Sequence, residues 1–419
     1  MPPIATAHVP GSKSVTARAL VIAALAPGRT RLIEPLVAAD TLAFAAAVRD
    51  LGPDVVQEPG VWTVTGLPDG PTGASAGPAK LWCHDSGTAA RFLPALAALG
   101  HGQVVIDASE QMRARPMAPL LGALRDLGVR VRAAPGDRLP LEIDADGIEG
   151  GEVRLDAGVS SQYLTALCLV APATRRGLRI RLSDVVSVPY VRMTLAMMRD
   201  FGVESSWEGD TVVIPPGTYT PGDYRVEADA STASYFFAAA ALTGDTVTVP
   251  GLGERSHQGD LRFATEVLAS MGCTVRVTGD STTVTGPGQL RSPGTVVMRD
   301  ISDTMMTLAA IAPFADAPVR IADVANCRVK ESDRIDAMAT ALTACGITVR
   351  TGPDWIEVHP GEPHGARVAT RADHRIAMSL SVTGLRTPGI ELDDPGCVAK
   401  TFPAFHEEFA AVREAWAQT

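Results

Sequence analysis

The six cysteines, at positions 83, 168, 273, 327, 345 and 397, form no CxxC pair, and the eight histidines form no HExxH or comparable ligand spacing. These absences remove the usual signatures of a zinc site or a redox dithiol, so no metal and no cofactor are expected, and most of the cysteines read as small buried hydrophobes. Apolar runs are short as well. Runs such as residues 19–26 and 238–242 fall far below the ~20 residues that span a bilayer. The opening MPPIAT lacks the basic region and apolar stretch of a secretion signal, so a cytoplasmic protein without a membrane partner is expected. Positive charge is not in excess: 37 Lys and Arg face 47 Asp and Glu, and a net charge of -10 argues against nucleic acid as a partner. Disorder is excluded too, since 46% of 419 residues are apolar, enough to bury two full cores.

What the chain does contain is a dense charge cluster, NCRVKESDR over residues 326–334, running into an amphipathic pattern. Ile335, Met338, Ala339 and Leu342 recur at the spacing of a buried helical stripe, with Gly346 as the stop. On that helix Lys330 and Arg334 would share a face, and Glu331 would reach Arg334 at i+3. Asp333 and Asp336 would sit in the first turn, where carboxylates suit the dipole. Three cations and two carboxylates at a helix start suit proton transfer beside a bound anion. A solvated cap is the alternative.

Related segments recur about every 70 residues. They are GSKSVTARALVIAAL from Gly11, DSGTAARFLPALAAL from Asp85, GVSSQYLTALCLVAP from Gly158, DASTASYFFAAAAL from Asp229, DISDTMMTLAAIAP from Asp300 and RADHRIAMSL from Arg371. Each is a polar loop followed by an Ala-rich helix. Between them a helix ends at Gly and a strand follows, at Gly52, Gly128, Gly202, Gly272 and Gly346. Strands are expected at residues 129–132, 211–214, 274–278 and 355–358. Six α/β units of this size fit two lobes of three better than a solenoid. The seam falls near residues 223–229, after a Pro- and Gly-rich stretch. The last unit lacks its closing mark, so the first dozen residues are expected to complete the second lobe.

Against the acidic background, Lys13, Arg18, Arg91, Arg115, Arg334, Arg375 and Lys400 fall in or beside the loop–helix junctions or short Gly- or Pro-marked loops. A helix start presents unpaired N–H groups and a partial positive charge, so several of them with added cations would trap small anions. Gly87 and Thr88 read as a loop that lets backbone approach a ligand. Ser160, Ser161 and Gln162 offer hydroxyl and amide donors. An ordinary turn and an N-cap are the respective alternatives.

From PGSKSVTARAL at Pro10 to AKTFPAF at Ala399, these motifs resemble the 5-enolpyruvylshikimate-3-phosphate synthase family of enolpyruvyl transferases. The resemblance implies a two-lobed inverted α/β barrel of six βαβαββ units, three per domain. Residues 13–227 would form the lobe that binds the shikimate phosphate, and residues 1–12 with 228–419 the lobe that carries the acid–base residues. The lobes of such proteins close over their substrates. The implied reaction moves the 1-carboxyvinyl group of phosphoenolpyruvate to the 5-hydroxyl of shikimate 3-phosphate, on the route to chorismate and the aromatic amino acids, by a cytoplasmic monomer.

Carried over by position, the resemblance implies that Lys13, Ser14, Arg18, Ser160, Ser161, Gln162, Ser187, Tyr190, Asp303, Asn326 and Lys330 hold shikimate 3-phosphate. Lys13, Gly87, Arg115, Gln162, Arg334, Arg375 and Lys400 would hold phosphoenolpyruvate. Asp303, Glu331, Lys13 and Lys400 would carry the proton transfers. For Asp303 a helix-entry cap is the alternative. Two departures stand out: Asp85 where many members have Asn, and Phe92 where some have Pro. Asp85 adds a negative charge near the expected donor anion. Because Gly87 is Gly and not Ala, glyphosate is expected to compete with phosphoenolpyruvate. The rivals are the sister UDP-N-acetylglucosamine enolpyruvyl transferases, which often carry Cys where this chain has Glu110, a specialised-pathway transferase with a modified shikimate acceptor, and a non-catalytic anion sensor.

Overall fold

The computed structural model describes residues 4–67 and 78–418. The chain divides into two compact units, Gly11–Val226 and a second made of Met1–Pro10 with Glu227–Thr419, each around its own apolar core.

All six Ala-rich segments are helical. Lys13–Leu25, Gly87–Ala98 and Ser161–Val170 lie in the first unit; Ala230–Thr243, Met305–Ile311 and His374–Thr383 lie in the second. They are buried on nearly every side, which is why Ala, Leu and Thr replace the polar face of an ordinary surface helix. Within the first unit the second-turn residues Arg18 and Thr165 touch, and the first-turn residues Gln162 and Thr88 touch, so the three inner helices begin at the same end.

Sheets clothe these helices. Ala79–Trp82 runs parallel to His101–Asp107, which pairs antiparallel with Arg138–Asp146, which pairs antiparallel with Arg130–Ala134. The same order recurs in four other four-stranded sheets, so the mixed α/β class expected from the repeats is what the chain adopts. Each sheet is open. In two sheets the leading strand comes from elsewhere: Asp223–Arg225 pairs with Gly28–Ile33, and Ile4–Thr6 pairs with Thr246–Pro250. The sixth sheet has only Arg367–Val368 and Glu391–Leu392 among the described residues, consistent with the missing helix-Gly-strand mark there.

Gly52, Gly128, Gly202, Gly272 and Gly346 all have φ between 85° and 113°, the left-handed conformation that closes a helix before a strand. The expected strands form at Arg130–Ala134, Thr211–Ile214, Thr274–Val277 and Trp355–Val358. One helix departs from the regular pattern: before Gly272 the chain winds as a 3-10 turn, Gly259–Leu261, and then as a π-helix, Phe263–Leu268.

Gly66 and Gly286 occupy equivalent strand ends in the two units, each pressed on the carbonyls that finish an inner helix. A Cβ on Gly66 would collide with Ala23 O and Ala26 O, and one on Gly286 with Ala240 O. Backbone cannot yield as a flexible side chain can. Gly66→Ala is therefore expected to cost about 2–3 kcal/mol, seen as a lower urea midpoint at unchanged slope; a midpoint equal to wild type would contradict this packing.

Candidate active site

The first unit gathers its polar groups at the inner-helix starts. Ser12 caps Lys13–Leu25, its hydroxyl accepting from Val15 N, and Lys13 in the first turn meets Asp40 at 3.2 Å. Arg18 is buried, donating from Nε to Thr194 Oγ1 (2.8 Å), from Nη1 to Ser14 O (2.8 Å) and from Nη2 to Tyr190 O (3.2 Å) and Thr165 Oγ1 (3.4 Å). Burial pushes its pKa down to about 10.

Gly87 opens the second inner helix under two guanidinium groups. A Cβ there would lie 2.7 Å from Nη1 of both Arg115 and Arg91, so Gly is what allows these cations to close on the helix start. Arg91 donates back to Gly87 O (3.0 Å), repeating the bond of Arg18 to Ser14 O one repeat earlier. Pro116 O accepts from Tyr163 Oη (2.7 Å) and Arg91 Nη2 (3.4 Å), which fixes the segment carrying Arg115. Asp85, the departure ahead of this loop, accepts the Ser109 hydroxyl, and that same hydroxyl caps Glu110–Arg113. The added charge is thus engaged with the loop that leads to Arg115.

Ser160 is the N-cap of the third inner helix, its Oγ accepting from Gln162 N at 3.3 Å. The capping alternative therefore holds, while its hydroxyl proton stays available to donate. Ser161 is buried beside it, and Gln162 Nε2 donates to Thr88 Oγ1 at 3.2 Å. Ser187 has φ 52°, an uncommon left-handed position for a residue with a side chain, and leads into Val188–Asp200, where Tyr190 sits half-buried. Backbone held this way is a recurrent mark of functional loops.

The second unit concentrates charge. Asp303 Oδ1 accepts from Lys330 Nζ (3.3 Å) and Arg334 Nη1 (3.1 Å), and its Oδ2 from Arg375 Nη2 (3.1 Å). Asp303 stands at neither N-cap of the two short helices here, those positions being Ile301 and Thr304, and its carboxylate faces the cations. Burial by itself would raise the Asp303 pKa, but Arg375, Lys330 and Arg334 outweigh it and hold the carboxyl well below the usual range. Glu331 Oε2 accepts from Arg334 Nη2 at 2.8 Å, and Lys400 Nζ stands 3.8 Å from its Oε1. Asn326, also buried, donates to Ser302 Oγ at 3.0 Å, beside Asp303.

The helix Arg334–Ala344 starts later than the charge pattern suggests, with Asp333 as its cap and Asp336 in its first turn. Lys330 therefore does not share a helical face with Arg334. The two meet because both reach Asp303 Oδ1. The i+3 contact of Glu331 with Arg334 does form.

One residue in each unit escaped sequence reasoning. Asp373, fully buried, accepts from Arg334 Nε (2.9 Å), Ser332 Oγ (3.0 Å) and Arg375 N (3.0 Å), so it holds one cation and caps the helix bearing another. Asp40 meets Lys13 across 27 residues. The position of Asp373 at the loop–helix junction of RADHR was the available signal; Asp40 offered none. Four cations, Lys330, Arg334, Arg375 and Lys400, here face three carboxylates, Asp303, Glu331 and Asp373. Such a cluster retains attraction for an anion and holds all three carboxylates within reach of the Arg334 guanidinium.

Because the folded state depresses the Asp303 pKa, its stabilisation is present above the unfolded value of about 4 and is lost as pH falls further. Asp303→Asn should thus be less stable than wild type at pH 7, with the gap narrowing below about pH 4. Denaturant midpoints across that range check this; a gap independent of pH would contradict it.

Residues 4–409 match the family described as EPSP synthase (3-phosphoshikimate 1-carboxyvinyltransferase). A 3-phosphoshikimate 1-carboxyvinyltransferase of Nostoc punctiforme is 42% identical over 98% of this chain and 96% of its own length. One from Syntrophobacter fumaroxidans is 41% identical over 97% and 96%. Among solved structures, EPSP synthase from Acinetobacter baumannii superposes with a TM-score of 0.80 at 25% identity, covering 98% of this chain and 96% of that one. The enolpyruvyl transferase NikO of Streptomyces tendae shares the fold, with a TM-score of 0.77 at 19% identity over 98% and 95%. With the match running nearly end to end and whole-length relatives above 40% identity, the chain belongs to the EPSP synthase family.

Proposed function

We propose that this chain transfers the 1-carboxyvinyl group of phosphoenolpyruvate to the 5-hydroxyl of shikimate 3-phosphate, releasing phosphate, in aromatic amino acid biosynthesis. The observation that carries the reading is the pair Asp303 and Glu331, both on Arg334 and surrounded by four cations. A protein that only held anions would need the cations without two acid–base groups beside them.

In this reading Asp303 orients and deprotonates the 5-hydroxyl as its oxygen attacks C2 of phosphoenolpyruvate. Glu331 protonates the methylene carbon, giving a tetrahedral intermediate. Elimination reverses the proton at that carbon and expels phosphate, so no covalent bond to the enzyme is needed. Anionic substrates that draw Lys330, Arg334 or Arg375 toward themselves relax the grip on Asp303 and raise its basicity when it must accept a proton. Arg115, Arg334, Arg375, Lys13 and Lys400 stabilise charge on the carboxylate and on the departing phosphate, where one positioned donor is typically worth ~3–4 kcal/mol.

Residues 13–227 take the shikimate-phosphate role in this assignment. Ser14, Arg18, Ser160, Ser161, Gln162, Ser187 and Tyr190 contact the acceptor, and Gly87 lies beside phosphoenolpyruvate. Residues 1–12 and 228–419 supply the acid–base groups, with Asn326 and Lys330 completing the acceptor contacts. The working form is a cytoplasmic monomer; no helix among the described residues is long and apolar enough to cross a membrane. A sedimenting mass near 43.8 kDa checks the monomer, and twice that mass would refute it.

Glu331→Gln is expected to lower kcat roughly 10²- to 10⁴-fold, read as phosphate release from the two substrates together. Turnover near wild type would remove Glu331 from the chemistry. Glyphosate should raise the apparent KM for phosphoenolpyruvate without changing kcat; inhibition that phosphoenolpyruvate cannot relieve would overturn the donor-side assignment of Gly87.

A further inference from the structure

Arg18 is a buried cation with no carboxylate partner among the described residues. Its four hydrogen bonds go to two hydroxyls and two carbonyls, which leaves one of the five guanidinium N–H groups, on Nη1, without an acceptor among the described residues. Two aromatic rings share the work of keeping that charge in place. The Phe92 ring centroid lies 5.7 Å from Arg18 Cζ and that of Tyr190 lies 5.9 Å away, both within the range at which a ring face attracts a cation. Phe92 is itself locked, 1% exposed and set edge-on to Phe44 at 6.2 Å.

Position along the chain gives this contact its meaning. Phe92 sits on the helix that begins at Gly87, next to Arg91, whose guanidinium binds back to Gly87 O. Arg18 sits on the helix that begins at Lys13. The ring is thus a mechanical link between the helix start at the donor-side glycine and the guanidinium assigned to the acceptor. Without it, the face of Arg18 toward that helix would lose its aromatic contact, leaving the four hydrogen bonds and the Tyr190 ring alone to set the tilt of the guanidinium.

We propose that Phe92 is a positioning residue for the acceptor: its ring holds Arg18 so that the remaining Nη1–H is aimed at shikimate 3-phosphate. This rests on the acceptor role given to Arg18 above. Phe92 touches no reacting atom and acts only through Arg18.

The test uses the full-length enzyme with Phe92→Leu, which keeps an apolar side chain on the helix and removes the ring. The KM for shikimate 3-phosphate is expected to rise roughly three- to tenfold, while the KM for phosphoenolpyruvate and kcat stay within about twofold. Phe92→Met serves as a second variant should the first fail to fold, and calorimetric binding of shikimate 3-phosphate alone gives a readout independent of turnover. Arg18→Lys should raise the acceptor KM at least as much, and combining it with Phe92→Leu should add nothing further. Equal shifts in both KM values, or additive effects of the two substitutions, would overturn the proposal and leave Phe92 as ordinary core. An Arg18→Lys enzyme with unchanged acceptor KM would instead refute the acceptor role of Arg18 on which the proposal stands.

Discussion

The burial of three helices side by side in each unit, with those of the first unit shown to begin at one end, is the constraint on which the rest depends. A helix buried on every side must be made of small and apolar residues, and it leaves its first N–H groups and the positive end of its dipole to be satisfied locally. Ser12, Ser86 and Ser160 do this in the first unit, and Asp229 and Asp373 in the second. Each cap satisfies part of the demand. The remaining N–H groups, with nearby Lys and Arg, leave those starts suited to anions.

Arginine converts that bias into a defined geometry. Arg18 and Arg91 each fold back onto a first-turn carbonyl of their own helix, so cations are held at the starts without depending on surface salt bridges. In the second unit Arg334 does more, reaching Asp303, Glu331 and Asp373 from a position 1% exposed. The three carboxylates around this guanidinium offset the cost of burying its charge, and carboxylates so buried stay ionised because cations lie beside them. The two demands meet in one cluster, whose small surplus of positive charge suits an anionic substrate and whose carboxylates suit proton transfer.

Much of this was legible in local sequence because it is local physics. The six Ala-rich segments read as helices because burial on all sides forces that composition, and the five glycines that end the helices between them read as stops because a left-handed residue closes those turns. Glu331 could be matched to Arg334 from a spacing of three. The family motifs also pointed to Gly87, whose place under Arg91 and Arg115 has a steric reason in the structure. Lys330 was placed on the wrong basis: the chain between it and Arg334 is not yet helical, and its tie to Arg334 runs through Asp303.

What the sequence by itself determined was the set of elements, their repeat and the chemical types gathered at the loops, since hydrophobic period, caps and glycine stops act over a few residues. Tertiary structure alone decided the partnerships. Asp303 meets Arg375 across 72 residues, Arg18 meets Thr194 across 176, and Asp373 joins two cations that no spacing connects. Such contacts form only when separate helices pack at a fixed depth, and that depth is set by the close fit of small side chains in each core, which no local pattern encodes.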